Sequence, residues 1–171
     1  MIFGDPDTFA IECHHDPVAN ESRRVYGRIR LWVAGLTLGN INELTCWLNP
    51  IGSCLESVLN ALALDPDPDV DLLDDCDAFA FLDQKLYLDD ERTSAQINDD
   101  ARRFARFHFL TNSGESFDHT KSFVVRSGDR VRVLFRDDHD KFHAGDVNYD
   151  VFKWVVESFF HWIDSERERA A

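Results

Sequence analysis

The chain has 171 residues, of which 44% are hydrophobic and 12% aromatic, and this composition excludes a disordered acidic tail and a low-complexity chain. We expect residues 1–171 to form a single domain, since this length fits one hydrophobic core. The 32 acidic residues outnumber the 18 basic ones, which gives a formal net charge of −14. Such a charge repels nucleic acid and anionic membranes, so we expect neither as a partner.

The sequence also bears on cellular location. It contains no stretch of 18 apolar residues that could span a membrane. The start, Met1 to Pro6, lacks the basic and apolar regions of a signal peptide, so we expect a cytoplasmic protein. The four cysteines are scattered without a C-x-x-C pair, which predicts free and mostly buried thiols in a reducing compartment.

Strands are predicted where apolar and polar residues alternate. This pattern occurs at about 9–13 and 26–33, and the Ala34-Gly35 turn predicts that residues 36–38 return as a hairpin partner. In the second half, the same alternation predicts strands at 104–110, 122–125 and 130–136. Residues 137–145 are predicted to form a charged loop.

Helices are predicted where apolar residues recur at three- and four-residue steps. The clearest runs from Asn49 as N-cap, with Pro50 at the first helical position, to about residue 62. A second is predicted at about 72–86, with Asp74 or Asp75 as its cap, and a loop or short helix at 89–100. An aromatic stripe predicts a last helix at about 148–167. Together these elements predict an α+β domain, an antiparallel sheet with helices packed on one face.

Histidines accompany aspartates at two places. His139 and His143 are four residues apart, a spacing that places two imidazoles on one face of a helix. However, Asp140 follows His139 where a metalloprotease has glutamate, and the stretch follows a strand, so we favour a solvated loop over a metal site. The second place is Asp118-His119, which lacks a nucleophile on a sharp turn.

No motif identifies an enzyme or a cofactor. Adjacent His14 and His15 on a strand point to opposite faces, so they do not share one metal ion. The sequence has no P-loop and no G-x-G-x-x-G motif, so we expect no nucleotide cofactor. We expect a protein without metal, cofactor or catalysis. The alternative is a small hydrolase or metal-dependent enzyme that uses the histidine–aspartate clusters.

The segment from Asp65 to Asp100 holds most of the negative charge. It has thirteen acidic residues against Lys85 and Arg92, a net charge of −11 that leaves −3 for the rest. Charge alone allows either a solvated surface or a docking face for a basic partner. Our hypothesis is the docking face. Its expected contacts flank two prolines that hold the loop extended, and they are Asp67, Asp69, Asp71, Asp74 and Asp75.

Arginines occupy one side of two predicted strands. Arg28 and Arg30 share a face of the second strand, with Trp32 beside them. Arg130, Arg132 and Arg136 lie on the later strand. We expect these residues to form the solvent side of a half-covered sheet and to pair with the protein's own carboxylates.

Several short motifs follow one another along nearly the whole chain. They are Ile2-Phe3-Gly4-Asp5-Pro6, the glycine–aromatic–glycine stretch of residues 27–35, Leu38-Gly39-Asn40, residues 106–110, Phe117-Asp118, residues 131–136 and Trp162 in the last helix. In these motifs the chain resembles the Immunity-42 proteins of bacterial polymorphic toxin systems. It departs from them at Asn40, where an acidic residue is expected, and in the long aspartate-rich stretch at 65–77.

This resemblance implies an antidote that remains in the cytoplasm of the producing bacterium, binds a cognate toxin domain and blocks it. Many toxin domains that attack nucleic acid must be basic to bind phosphates. The acidity of this chain therefore fits a basic toxin domain as its partner. A further alternative is an acidic mimic of nucleic acid that inhibits a DNA-binding protein of the host.

Overall fold

The computed structural model describes residues 1–17, 23–88 and 91–169. Its elements are β1 (Ile2–Asp5), β2 (Phe9–His15), β3 (Tyr26–Val33), β4 (Leu36–Leu38), β5 (Cys46–Trp47), α1 (Leu48–Leu62), α2 (Pro68–Asp71), α3 (Asp75–Tyr87), α4 (Ser94–Phe104), β6 (Lys121–Ser127), β7 (Arg130–Arg136), β8 (Phe142–Asn148) and α5 (Tyr149–Arg169). Short 3-10 turns cover Ala105–Phe107 and Glu115–Phe117. The predicted α+β class is confirmed. Within these ranges no helix is long and apolar enough to cross a membrane.

The first sheet contains β1 to β5 and is antiparallel throughout. Its strand order is β1-β2-β3-β4, and β5 pairs with β3 next to β4. In the β2–β3 pair, Phe9 lies opposite Val33 and Cys13 opposite Ile29. These residues and Ile11 are fully buried in a core shared with α1 and α5. The predicted arrangement, helices on one face, describes this sheet.

The second sheet has the order β6-β7-β8 and is covered on both faces. Val124 and Val133 belong to the main core, whereas Phe123 and Leu134 belong to a second core formed with α2, α3 and α4. The sequence predicted one sheet, and the structure has two. Consecutive apolar residues in β6 are the pattern of a strand that is buried on both sides.

The start of α1 differs from the prediction. The helix begins at Leu48, and its N-cap position is Trp47, without a side-chain cap. Asn49 does not cap the helix, because its Oδ1 accepts hydrogen bonds from the Val25 backbone N–H at 2.8 Å and the Trp47 indole N–H at 2.6 Å. Asn49 therefore ties the helix to the strand region. Pro50 still lies in the first turn, where its missing N–H costs no hydrogen bond.

The region after α1 is more helical than predicted. Asp74 caps α3 by accepting from the backbone N–H of Asp77, as one of the two predicted caps. The predicted strand at 104–110 is wrong, because α4 ends at Phe104 and a 3-10 turn follows. Thr93 and Gln96 form a capping box that starts α4. Phe107 and Phe109 do alternate with polar residues, as in a strand. However, Phe104 and Phe107 are three residues apart, which is the spacing of one face of a helix, and both are buried. Residues 89 and 90 of the predicted polar stretch lie outside the described ranges.

The charged loop predicted at 137–145 is shorter than expected, because its second half is a strand. It ends at Lys141, and β8 then pairs with β7 in register, with Phe142 opposite Arg136 and Val147 opposite Val131. The strand is at the edge of its sheet, and Val147 is its one buried residue. Pairing through the backbone therefore makes a strand whose side chains show little apolar pattern.

The last helix is confirmed as a core element. Phe152, Val155, Phe159 and Ile163 are buried along one side of α5. Phe152 stacks on Phe9 of β2, with ring centroids 4.6 Å apart. This contact joins the C-terminal helix to the first sheet.

Candidate functional site

Asp67 is the most constrained of the five aspartates predicted to contact a partner. Its side chain is buried, and it caps α2 by accepting from the backbone N–H of Asp69 at 3.0 Å. It also forms a two-pronged ion pair with Arg103 of α4, and Arg106 lies at 3.6 Å. The Arg103 guanidinium outweighs burial and holds the pKa of Asp67 below its usual value.

The other four aspartates also have intramolecular contacts. Asp69 shares Arg103 at 2.7 Å, and Asp75 lies 3.3 Å from Arg132 of β7. Asp71 accepts from the Ser127 hydroxyl, and Asp74 caps α3. Only Asp69 and Asp74 of the five are exposed. The prediction that Pro66 and Pro68 hold this loop extended is wrong, because Pro68 starts α2, a single helical turn.

Basic residues from outside the acidic segment neutralise part of its charge. Arg103, Arg106 and Arg132 engage the aspartates named above, and Lys121 pairs with Asp83 of α3 at 2.6 Å. The expected pairing of the strand arginines with the protein's own carboxylates is therefore present at Arg132. The net charge of the segment in the sequence thus overstates the negative charge that it presents to solvent.

Two histidine–aspartate clusters that are far apart in the sequence line one cleft. The cleft has a volume of about 460 Å³. His119 comes from the loop after the 3-10 turn at Glu115–Phe117, while Asp137, Asp138 and His143 come from the β7–β8 hairpin. The rest of its polar wall includes Arg30, Asn40, Glu43 and Glu115. The sequence predicted each cluster as a candidate, but it did not predict that the two lie in one cleft.

Within this cleft, His143 is already bound. Its Nε2 lies 2.8 Å from Oδ2 of Asp137. Burial acts to raise the pKa of Asp137, but the hydrogen bonds from His143 and from the backbone N–H groups of Lys141 and His139 outweigh it and lower that pKa. Among residues 1–17, 23–88 and 91–169, no group of three or more histidine, cysteine, aspartate or glutamate side chains is placed to hold a metal ion.

The four cysteines are free thiols, as predicted. Burial raises the pKa of Cys13 to about 12 and that of Cys46 to about 11. Burial also raises the pKa of Cys54, and Cys76 is exposed on α3. A thiol whose pKa lies this far above neutrality is a poor nucleophile, so the structure does not favour catalysis by Cys13 or Cys46.

The face of the first sheet that points away from α1 and α5 is here called the open face. It carries a hydrogen-bonded network of side chains that the sequence predicted only in part. Oε2 of Glu12 accepts from Nε of Arg30 and from Nε1 of Trp32, both at 2.8 Å. The Arg30 guanidinium stacks 4.5 Å from the centre of the Trp32 ring. The alternation of β3 placed Arg30 and Trp32 on one face, but the partner Glu12 depends on the register of β2.

His14 and His15 point to different sides of β2, as predicted. His14 lies on the open face, 3.3 Å from Glu12, and is half exposed. His15 packs edge-on against Trp162 of α5, with ring centroids 5.4 Å apart. The two imidazoles therefore face separate environments and do not share one site.

A comparison with protein families decides the classification. The family model "Immunity protein 42", Imm42, matches residues 1–162. The chain belongs to the Imm42 family. The resemblance seen in the short sequence motifs is thereby confirmed. The match includes both sheets and all but the last turns of α5.

A solved structure shares the Imm42 chain's fold. CdiI from Burkholderia dolosa AUO158 superposes with a TM-score of 0.68, over 94% of this chain and 99% of that one. The two sequences are 14% identical, so this similarity concerns the fold. The comparison with curated proteins gave no match.

Proposed function

We propose that this Imm42 protein is a cytoplasmic immunity protein that binds and neutralises a cognate secreted toxin domain made by the same bacterium. The observation that carries the proposal is the family match over residues 1–162. The fold that the chain shares with CdiI from Burkholderia dolosa AUO158 supports it. Binding alone is sufficient for this role, because a bound toxin domain with a covered working surface is inactive.

In this proposal the protein catalyses no reaction of its own. The buried thiols of Cys13 and Cys46 have raised pKa values, which supports a structural role for both. The described residues contain no set of three potential metal ligands. These observations favour a binding protein over the alternative, a small hydrolase or metal-dependent enzyme.

The partner is proposed to be basic. Our proposed docking residues in the acidic segment remain Asp67, Asp69, Asp71, Asp74 and Asp75. They differ in how far their side chains are exposed. Asp69 and Asp74 are exposed, although Asp69 pairs with Arg103 and Asp74 caps α3, whereas Asp67 is buried and holds α2 against α4. We therefore propose that this segment acts mainly through its electrostatic field, which speeds encounter with a basic toxin domain.

The test is protection of living cells. The toxin domain is sought in the gene directly upstream, as the variable C-terminal domain of a large secreted protein, and it is expressed with or without this protein. We expect survival only when the protein is present, and no protection by an unrelated immunity protein. Death of cells that contain the folded protein at the same level would overturn the proposal.

A further inference from the structure

We propose that the cognate toxin domain docks on the open face of the first sheet and on the cleft beside it, and that a lysine or arginine side chain of the toxin domain enters this cleft. The inference rests on the proposed immunity function and adds the surface that performs it. The open face contributes Glu12, Arg30 and Trp32. The cleft is lined by Glu43, Glu115, Asp137 and Asp138. Arg30 also lines it, so Arg30 belongs to both the open face and the cleft.

The open face has the features of a rigid binding platform. Trp32 and Arg30 belong to the residue types that supply most binding energy at protein interfaces. Here the Glu12 carboxylate holds both in place, so little side-chain freedom is lost when a partner binds. The platform is half-buried, and no helix packs over it in the described chain, because α1 and α5 pack on the other side of the sheet, against Phe9, Ile11 and Ile29.

The charge of the cleft specifies what enters it. Arg30 is neutralised by Glu12 at 2.8 Å, and Asp137 is bound to His143. Among the residues that the structure describes, no lysine or arginine pairs with the carboxylates of Glu43, Glu115 or Asp138. Three carboxylates around a concavity of about 460 Å³ leave an excess of negative charge, which a cationic side chain of the partner complements.

Two other surfaces are weaker candidates for direct contact. Most carboxylates in the described part of the acidic segment already have intramolecular partners. The groove between α1 and α5 is larger, about 610 Å³, but its wall mixes arginines with acidic residues. That groove therefore offers no single charge for a partner to complement.

The cleft and Asp71, one of the proposed docking aspartates, are far enough apart to be tested separately, whereas Asp83 of the same segment lies nearer the cleft, at Lys121. Asp71 contacts Ser127 at the end of β6, whereas the cleft follows Arg136 of β7, which lies opposite Lys121 at the start of β6. A strand of this length spans roughly 20 Å at 3.3 Å per residue. Substitutions at the two places are therefore expected to act independently.

The first experiment reverses charge at the cleft. Glu115→Lys with Asp138→Lys changes two exposed positions, and Glu56→Lys with Asp129→Lys is the matched control. The control makes the same change in net charge on α1 and in the β6–β7 turn. We expect the cleft variant to bind the purified toxin domain at least about tenfold more weakly, with slower association, and the control to stay within about twofold of wild type.

The second experiment removes one tryptophan from each side of the sheet. Trp32→Ala truncates the platform, and Trp154→Ala truncates a tryptophan that is 59% exposed on α5. We expect roughly a 30-fold or greater loss of affinity for Trp32→Ala only. Circular dichroism and thermal melting establish that each variant is folded. If Trp32→Ala does not fold, the charge-reversed pair decides.

The outcomes separate this surface from the proposed function. If wild type binds the toxin domain but the cleft variant and the folded Trp32→Ala variant bind equally well, the docking surface is wrong and the immunity function stands. Loss of binding in Trp154→Ala instead would also overturn the surface, in favour of the α5 side. Absence of binding by wild type overturns the proposed function and this inference with it.

Discussion

The carboxylate of Asp67 and the guanidinium of Arg103 face each other through two hydrogen bonds, Oδ1 to Nη2 at 2.6 Å and Oδ2 to Nε at 2.8 Å. Asp67 is the N-cap of α2, and Arg103 lies in the last turn of α4, 36 residues further along the chain. Asp67, which is the most buried of the described aspartates of the acidic segment, is thus held by an arginine that lies outside that segment. Its first role is to fix the fold locally.

Asp67→Asn is therefore expected to destabilise the protein. We expect a loss of about 1–2 kcal/mol in the free energy of unfolding, the range for hydrogen bonds to a charged group reduced because Arg103 is half exposed. Urea denaturation measures this change. Asp69→Asn is the control, because it removes a carboxylate that shares Arg103 but is itself exposed. Equal stability of wild type and Asp67→Asn would show that the ion pair contributes nothing.

The same ion pair predicts a pH dependence. The folded pKa of Asp67 is lowered from an ordinary value of 3.8, so its contribution to stability is complete above that value. The contribution is lost as the pH falls from 3.8 through the lower folded pKa. The stability difference between wild type and Asp67→Asn should therefore shrink on acidification. A difference that grows below pH 4 would contradict the assignment.

Phe159 of α5 tests the core role of the last helix. The side chain is fully buried and packs edge-on against Phe3, with ring centroids 5.7 Å apart. Phe159→Ala should lower the free energy of unfolding by about 3–5 kcal/mol, as truncation of a buried aromatic side chain does. Trp154→Ala on the exposed side of the same helix should change it by less than about 0.5 kcal/mol. A thermal melt that does not separate the two variants would place Phe159 at the surface.

Thiol labelling tests burial independently. At pH 8, a small alkylating reagent should modify exposed Cys76 in the native protein. Cys13 and Cys46 should react only after denaturation, because burial raises their pKa to about 12 and about 11. Mass spectrometry of the labelled peptides distinguishes the sites. Rapid native labelling of Cys13 would mean that β2 is not covered by the core.

Elemental analysis tests the absence of a catalytic metal. The described parts of the chain bring no three potential ligands together. Protein purified without chelators should therefore contain no stoichiometric zinc or manganese. Near-stoichiometric metal that is lost in a His143→Ala variant would instead revive the enzyme hypothesis at the cleft.

The sequence predicts an element well where one side of it is buried. The alternation of β3 and the apolar stripe of α5 each face a single core, so periodicity alone located them. Periodicity is insufficient where an element lies between two cores or at an edge. The sequence did not predict that β6 is buried on both faces, nor that β8 is a strand at the edge of its sheet.

The candidate site was harder to predict, because it depends on contacts between distant residues. Asp67 and Arg103 meet, and His119 and His143 line one cleft, only through the packing of separate elements. A charge count of the segment 65–100 assigns no partner to Asp67, since that partner lies beyond residue 100. Family resemblance carried the functional prediction further than any residue pattern, because the short motifs extend along nearly the whole chain.

The central claim is that this Imm42 protein binds a toxin domain directly. The most direct measurement is a calorimetric titration of the purified protein with the cognate toxin domain, near physiological salt. We expect saturable binding at one toxin domain per chain, and no heat of binding with an unrelated toxin domain. A folded protein that shows no binding at micromolar concentrations of both partners would contradict the claim.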